Sequence, residues 1–167
     1  MRVIVPALEQ GCPAHYALRT EGISHEVFIM EGNHDYGILL KRLWGEGEGF
    51  IIVEGDIAPW PTALKHLEEC NRLWCGHNYP MALGGEVGGS LGCTKFADDL
   101  VQTYPDITLN WDETHWRYLD GAVIGSIAFR TGTECHRHQP PVAHVRSREY
   151  GPDNIFVNPV EAYGRDT

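Results

Sequence analysis

The tripeptide Glu54-Gly55-Asp56 sets two carboxylates one residue apart, directly behind the apolar run Phe50-Ile51-Ile52-Val53 and ahead of Pro61. The glycine between them permits close backbone approach. An acid pair leaving a buried strand suits a hard divalent cation, because Mg²⁺ and Mn²⁺ take oxygen ligands and commonly combine one or two protein carboxylates with substrate phosphates. The plainer alternative is a solvated acidic turn. A second concentration of chemistry, from Cys135 to His144, holds three of the nine histidines, His136, His138 and His144. His136 and His138 alternate onto one face of an extended segment, and Pro140 with Pro141 fixes the path to His144. Imidazole serves as a Mn²⁺ ligand and as a phosphate partner, against the alternative of a surface histidine beside a proline turn. The five cysteines, Cys12, Cys70, Cys75, Cys93 and Cys135, are odd in number and lack repeated short spacings, so they do not read as a disulfide framework and are expected to be reduced. Cys70, Cys75, His77 and Cys93 offer a zinc alternative that rests on one Cys-x4-Cys spacing.

These groups must be positioned by regular elements. Val3-Ile4-Val5, Val27-Phe28-Ile29-Met30 and Phe50-Ile51-Ile52-Val53 lack alternation and are largely β-branched or aromatic, as expected of strands covered on both faces of a parallel sheet. Helices are predicted over Ala14 to Thr20 and where Tyr36, Leu39, Leu40, Leu43 and Trp44 recur behind an Asn33 or Asp35 cap. The first third therefore reads β-α-β-α-β, a Rossmann-like half-sheet with ligands beyond the carboxyl ends of its strands. That rule nominates Pro6 and Ala7 after the first strand and Glu31, Asp35 and Tyr36 after the second as nucleotide-binding positions, with Tyr36 stacking on the base. Asp35 as a helix cap and Tyr36 as core are the structural alternatives. Pro61 opens a helix whose apolar stripe is Ala63, Leu64, Leu67, Cys70 and Leu73/Trp74. The glycine-rich stretch from Cys75 to Gly92 reads as turns and short edge strands. Thr94 then reads as the cap of a helix carrying Phe96, Leu100, Val101 and Tyr104, and a longer helix is predicted from Asp112 to Thr131 with Gly132 as terminator. Residues 1–146 are expected to form the working domain and residues 147–167 a tail packed on the surface or partly disordered.

Composition narrows the function classes. The chain of 167 residues carries 13 Lys+Arg against 23 Asp+Glu, a formal charge of −10, which argues against a broad phosphate-binding face for nucleic acid. No run approaches the roughly 18 apolar residues of a membrane helix, and Arg2-Val3-Ile4-Val5-Pro6 lacks a signal-peptide core. A cytoplasmic protein with no membrane partner is expected.

Asp35-Tyr36 with Leu40 and Leu43-Trp44, then Phe50 to Ile57 with its acid pair, Trp74-Cys75 and Tyr79, Leu91-Gly92-Cys93-Thr94-Lys95-Phe96, Trp116 with Leu119-Asp120, and His136-x-His138-x-Pro140-x-x-x-His144 follow one another in a telling order. That order resembles the GT-A-type glycosyltransferases, in particular the small members often encoded by bacteriophages, over roughly residues 2–146. The resemblance implies a single α/β Rossmann-like domain, a mostly parallel central sheet flanked by helices. It also implies transfer of a sugar from a nucleoside diphosphate sugar, UDP-linked first, to an acceptor hydroxyl. Glu54 and Asp56 stand at the family's Asp-x-Asp-like motif for Mn²⁺ or Mg²⁺, with His144 as third protein ligand. Asp120 is implied as the acceptor base, with Asp112 and Glu113 in reserve. Gly92 and Thr94 would lie near the sugar or acceptor. The plainer alternatives are a solvated helical acid for Asp120, dipole-favoured helix acids for Asp112 and Glu113, a tight turn for Gly92 and a cap for Thr94. A modified DNA base, a virion protein or a small molecule are the acceptor classes, and the compartment would be a bacterial host's cytoplasm if the chain is phage-encoded. The rival functions are a non-catalytic nucleotide- or metal-binding module of the same fold and a zinc-organised interaction protein.

Overall fold

In the computed structural model, which describes residues 1–80, 87–88 and 90–145, the first strand β1 (Arg2–Ala7) lies between β2 (Glu26–Ile29) and β3 (Phe50–Val53), parallel to both. The chain therefore crosses over β1 on its way from β2 to β3, and two helices make the crossings, α1 (Pro13–Thr20) and α2 (Asp35–Gly45). Period-two alternation along the strands then divides the apolar side chains between two cores. Val3, Val5, Ile51 and Val53 pack with Ala14 and Leu18 of α1 on one face, whereas Ile4, Phe50 and Ile52 pack with Leu39, Leu40 and Trp44 of α2 on the other. A ligand crevice is expected at the carboxyl ends of β1 and β3, where the winding reverses.

Beyond β3 come the two-residue strand β4 (Ile57–Ala58), α3 (Ala63–Glu69), β5 (Trp74–His77), the short strands β6 (Tyr79–Pro80) and β7 (Val87–Gly88), β8 (Cys93–Phe96), α4 (Asp98–Thr103), a 3₁₀ turn at Trp111–Glu113, α5 (Trp116–Thr131), β9 (His136–His138) and β10 (Ala143–His144). The central sheet has six strands in the order β2-β1-β3-β8-β5-β9. Only β8 runs against the others, pairing antiparallel with β3 and β5, while β9 joins β5 in parallel. The result is a mixed, mostly parallel sheet flanked by helices. No helix among the described residues is long and apolar enough to cross a membrane.

Three sequence expectations are corrected. Thr94 does not cap a helix: it is fully buried within β8, and α4 starts four residues later at Asp98. The strand was hidden because Lys95 interrupts its apolar run, yet Lys95 is only 4% exposed and its ammonium reaches the carbonyls of Glu68 and Cys70. Trp74 opens β5 and does not extend α3, so Cys75 to His77 form an interior strand, not an edge. The last helix begins at Trp116, leaving Asp112 and Glu113 in the 3₁₀ turn, while Gly132 ends it in a left-handed conformation at φ 67° as predicted. The expected tail at 147–167 lies outside the described residues.

Candidate active site

The acid tripeptide is fastened to its surroundings by its own backbone. The Glu54 amide donates to the Gly92 carbonyl at 2.8 Å, the Gly55 amide to the Pro6 carbonyl at 2.9 Å, and the Gly55 carbonyl accepts from the Ala14 amide at 3.0 Å. These bonds press the turn onto the end of β1 and the start of α1. A Cβ on Gly55 would stand 2.9 Å from the Ala7 Cβ and 3.2 Å from its Cα, so the glycine is what permits the approach. Asp56 then meets the far end of the chain. The β4/β10 ladder pairs His144 with Ile57, the Val145 amide donates to the Asp56 carbonyl at 2.6 Å, and His144 Nε2 lies 3.0 Å from Asp56 Oδ2. The route to His144 is held at Pro140, whose carbonyl receives His77 Nδ1 at 3.0 Å, and at Val142, whose amide donates to the Asn78 carbonyl at 2.8 Å. The Tyr79 ring meets the His144 imidazole edge-on, with centroids 5.3 Å apart.

Asp120 reaches the same place from α5. Its pKa is raised by burial and by the charge of Asp56, against the opposing effects of the Ser90 hydroxyl, the Leu91 amide and the Arg137 guanidinium. Glu54 is raised well above the usual carboxylate range, first by burial and then by the charges of Asp120 and Asp56, while the Tyr36 hydroxyl, donating to Oε1 at 2.9 Å, works in the opposite direction. Burial followed by the Glu54 charge also pushes both Tyr36 and Tyr79 upward, so both phenols stay protonated. Arg137 is the cluster's cation. It sits between His136 and His138 on β9 and so points to the opposite face. Its partner across the ladder is Gly76, where a Cβ would stand 2.9 Å from Arg137 Nη1, and Nη1 donates to the Ser90 carbonyl at 3.0 Å. Tyr79 and Ser90 are joined through their hydroxyls.

The arrangement brings three carboxylates from two distant stretches of chain into electrostatic reach of one another, with Arg137 beside Asp120, and burial with mutual repulsion keeps Glu54 and Asp120 from ionising freely. Among the described residues these acids and His144 do not converge within 4.8 Å as a set of three, so a divalent cation such as Mn²⁺ or Mg²⁺ would be held by one carboxylate and one imidazole. Asp56 and His144 are the adjacent pair; Glu54 is engaged by Tyr36. A carboxyl whose pKa is raised moves toward the range where it exchanges protons at working pH, which is the property an acceptor base needs.

The other nominated residues have different surroundings. Pro6 and Ala7 face the site through backbone carbonyls already used by Gly55 and Met30. Glu31 is exposed after β2. The Asp35 carboxylate accepts from the Glu31 and Gly32 amides, both at 2.8 Å, which lowers its pKa and holds the loop before α2 instead of capping the helix. The Tyr36 ring is 5% exposed within the core, so the expectation that it stacks on a base gives way to support of Glu54. Thr94 is buried, with its hydroxyl directed at the Ser90 carbonyl, and Gly92 contributes its carbonyl to Glu54. Asp112 is paired with Lys41 at 2.8 Å, which lowers its pKa, and Glu113 is exposed; neither is among the charges acting on Glu54 or Asp120. The suggested zinc set is also corrected: among the described residues Cys70 and Cys75 converge with His138, not with His77 and Cys93. His77 is occupied between the carbonyls of Pro140 and Ala63. Sequence reasoning missed Ser90 and Arg137. The alternation that placed His136 and His138 together was the signal available for Arg137.

A mixed α/β sheet of this order, covered by helices on both faces, is a GT-A-like fold. The crystal structure of a glycosyltransferase involved in the glycosylation of the major capsid of PBCV-1 matches with a TM-score of 0.52 at 12% identity, covering 90% of this chain and 97% of that one. A197 from STIV matches with a TM-score of 0.43 at 13% identity, covering 61% of this chain and 68% of that one. No protein-family model and no curated protein matches the sequence.

Proposed function

We propose that the chain is a metal-dependent glycosyltransferase that moves a sugar from a nucleoside diphosphate donor, a uridine diphosphate sugar first, to an acceptor hydroxyl. The observation that carries this reading is the gathering of Glu54 and Asp56 from the end of β3, Asp120 from α5 and His144 from β10 at the carboxyl end of a central strand in a GT-A-like sheet. Asp56 and His144 would hold Mn²⁺ or Mg²⁺ directly, with Glu54 behind them. Such a cation, when bound, offsets the charge developing on the departing diphosphate. Asp120 takes the proton of the acceptor hydroxyl, a role worth about 10²- to 10⁴-fold in rate when the geometry is right. Ser90 and Arg137 position that carboxylate, and Tyr36 orients Glu54. Because the similar structure is described as involved in the glycosylation of a major capsid, a virion protein is the first acceptor to test, ahead of a modified DNA base or a small molecule.

His144→Ala supplies the test. Calorimetry with Mn²⁺ and uridine diphosphate should give weaker metal-dependent binding in the variant, and excess Mn²⁺ should restore much of it by mass action. A variant that kept the wild-type Mn²⁺ titration would remove His144 from the metal site.

A further inference from the structure

We propose that Cys70, Cys75 and His138 form a zinc site separate from the acid cluster. Their ligand-type atoms all lie within 4.8 Å of one another. They come from three elements that the fold brings side by side: Cys70 follows the last turn of α3, Cys75 lies in β5, and His138 ends β9. The β5/β9 register explains the convergence. Cys75 pairs with His136 and His77 with His138, so these four side chains share one face of the sheet, and Cys70 descends onto that face from the helix end.

One further observation favours a metal over a simple thiol cluster. His138 Nε2 is buried and has no hydrogen-bond partner, and an unsatisfied buried polar nitrogen calls for a ligand. Zinc bonds of about 2.3 Å to sulfur and about 2.0–2.1 Å to nitrogen bring tetrahedral donors to roughly 3.5–3.8 Å from one another. The three atoms need close by at most about 1.0–1.3 Å from the 4.8 Å that contains them, a movement of side-chain rotamers. Thiolate and imidazole donors select zinc over the Mn²⁺ or Mg²⁺ suited to carboxylates, so the two sites divide the metals by chemistry. A water would complete the tetrahedron.

Bound there, zinc joins α3, β5 and the edge strand β9. That strand carries Arg137 on its other face and leads through Pro140 to His144. The consequence for catalysis rests on the proposed sugar transfer; the zinc site does not.

The test is metal analysis of the full chain purified under reducing conditions, with thiols counted after denaturation. Expected are one zinc per chain retained through dialysis, five titratable thiols once zinc is chelated, and a lower melting temperature after chelation. Cobalt substitution should give sulfur-to-metal charge-transfer absorption. Cys70→Ser and His138→Ala should weaken cobalt binding by at least about 100-fold, more than loss of an outer-shell partner would, while Asp56→Asn retains it. Wild-type protein that retains no zinc with all thiols free, or that holds Cys70 and Cys75 as a disulfide, overturns the proposal without any variant having to fold. So does a cobalt spectrum lost in Asp56→Asn but kept in Cys70→Ser.

Discussion

Replacing Tyr36 with Phe removes one oxygen atom and tests whether Glu54 is a desolvated acid held by a single phenol. The ring is 5% exposed and keeps its packing, so the change is confined to the donor 2.9 Å from Glu54 Oε1. A hydrogen bond to a charged group is worth about 1.5–3 kcal/mol and one between neutral groups about 0.5–1.5 kcal/mol. The protonation state of Glu54 therefore decides the cost. Burial, with Asp120 and Asp56, raises its pKa in the folded protein above the unfolded value of about 4.3. The folded state binds that proton more tightly, so the associated stability is fully present below about pH 4.3 and is lost as pH rises through the raised value. Tyr36 opposes the rise, and without it the loss becomes steeper. Tyr36→Phe should cost about 0.5–1.5 kcal/mol in acid, where the Glu54 carboxyl is protonated, and about 1.5–3 kcal/mol once rising pH has ionised it. At about 2–4 °C per kcal/mol for a chain of this size, the melting temperature should fall by roughly 1–6 °C in acid and roughly 3–12 °C on the alkaline side of that transition. Differential scanning fluorimetry across the pH range in metal-free buffer reads both. A deficit that stays constant across the range, or that shrinks as pH rises, would refute the reasoning.

Asp120→Asn should lower turnover by about two orders of magnitude or more with donor affinity nearly unchanged, and should abolish the rise of kcat with pH through Asp120's raised pKa; separate binding and rate measurements check this. Gly55→Ala puts a methyl 2.9 Å from the Ala7 side chain and should cost about 1–3 kcal/mol in thermal unfolding. Because Asp56 follows directly, calorimetry on the same variant should also show weaker Mn²⁺-dependent nucleotide binding.

The first half of the fold was legible because its strands are short, continuous and apolar. Phe50 to Val53 needed no tertiary information to be read as a buried strand, and the acid pair was read directly behind it. The second half was not, because β8 contains Thr94 and Lys95, whose burial depends on partners far along the chain. Lys95 becomes acceptable in a sheet interior only once the end of α3 offers its carbonyls. The helical spacing of Phe96, Leu100 and Val101 then blended strand and helix into one pattern. The site shows the same division. Glu54 and Asp56 are neighbours in sequence and were found together, whereas the Tyr36 bond to Glu54, the Ser90 and Arg137 contacts around Asp120, and the meeting of Cys70 with His138 exist only after the sheet is assembled.

Sugar-nucleotide turnover followed by mass spectrometry, with uridine, guanosine and cytidine diphosphate sugars offered in turn, tests the central claim most directly. The wild-type chain with Mn²⁺ should release a nucleoside diphosphate from one donor class, chelation should stop the release, and folded Asp56→Asn should be inactive and lack Mn²⁺-dependent donor binding. Metal-dependent nucleotide binding by folded wild-type protein, with no product from any donor or acceptor, would contradict sugar transfer and leave a binding module in its place.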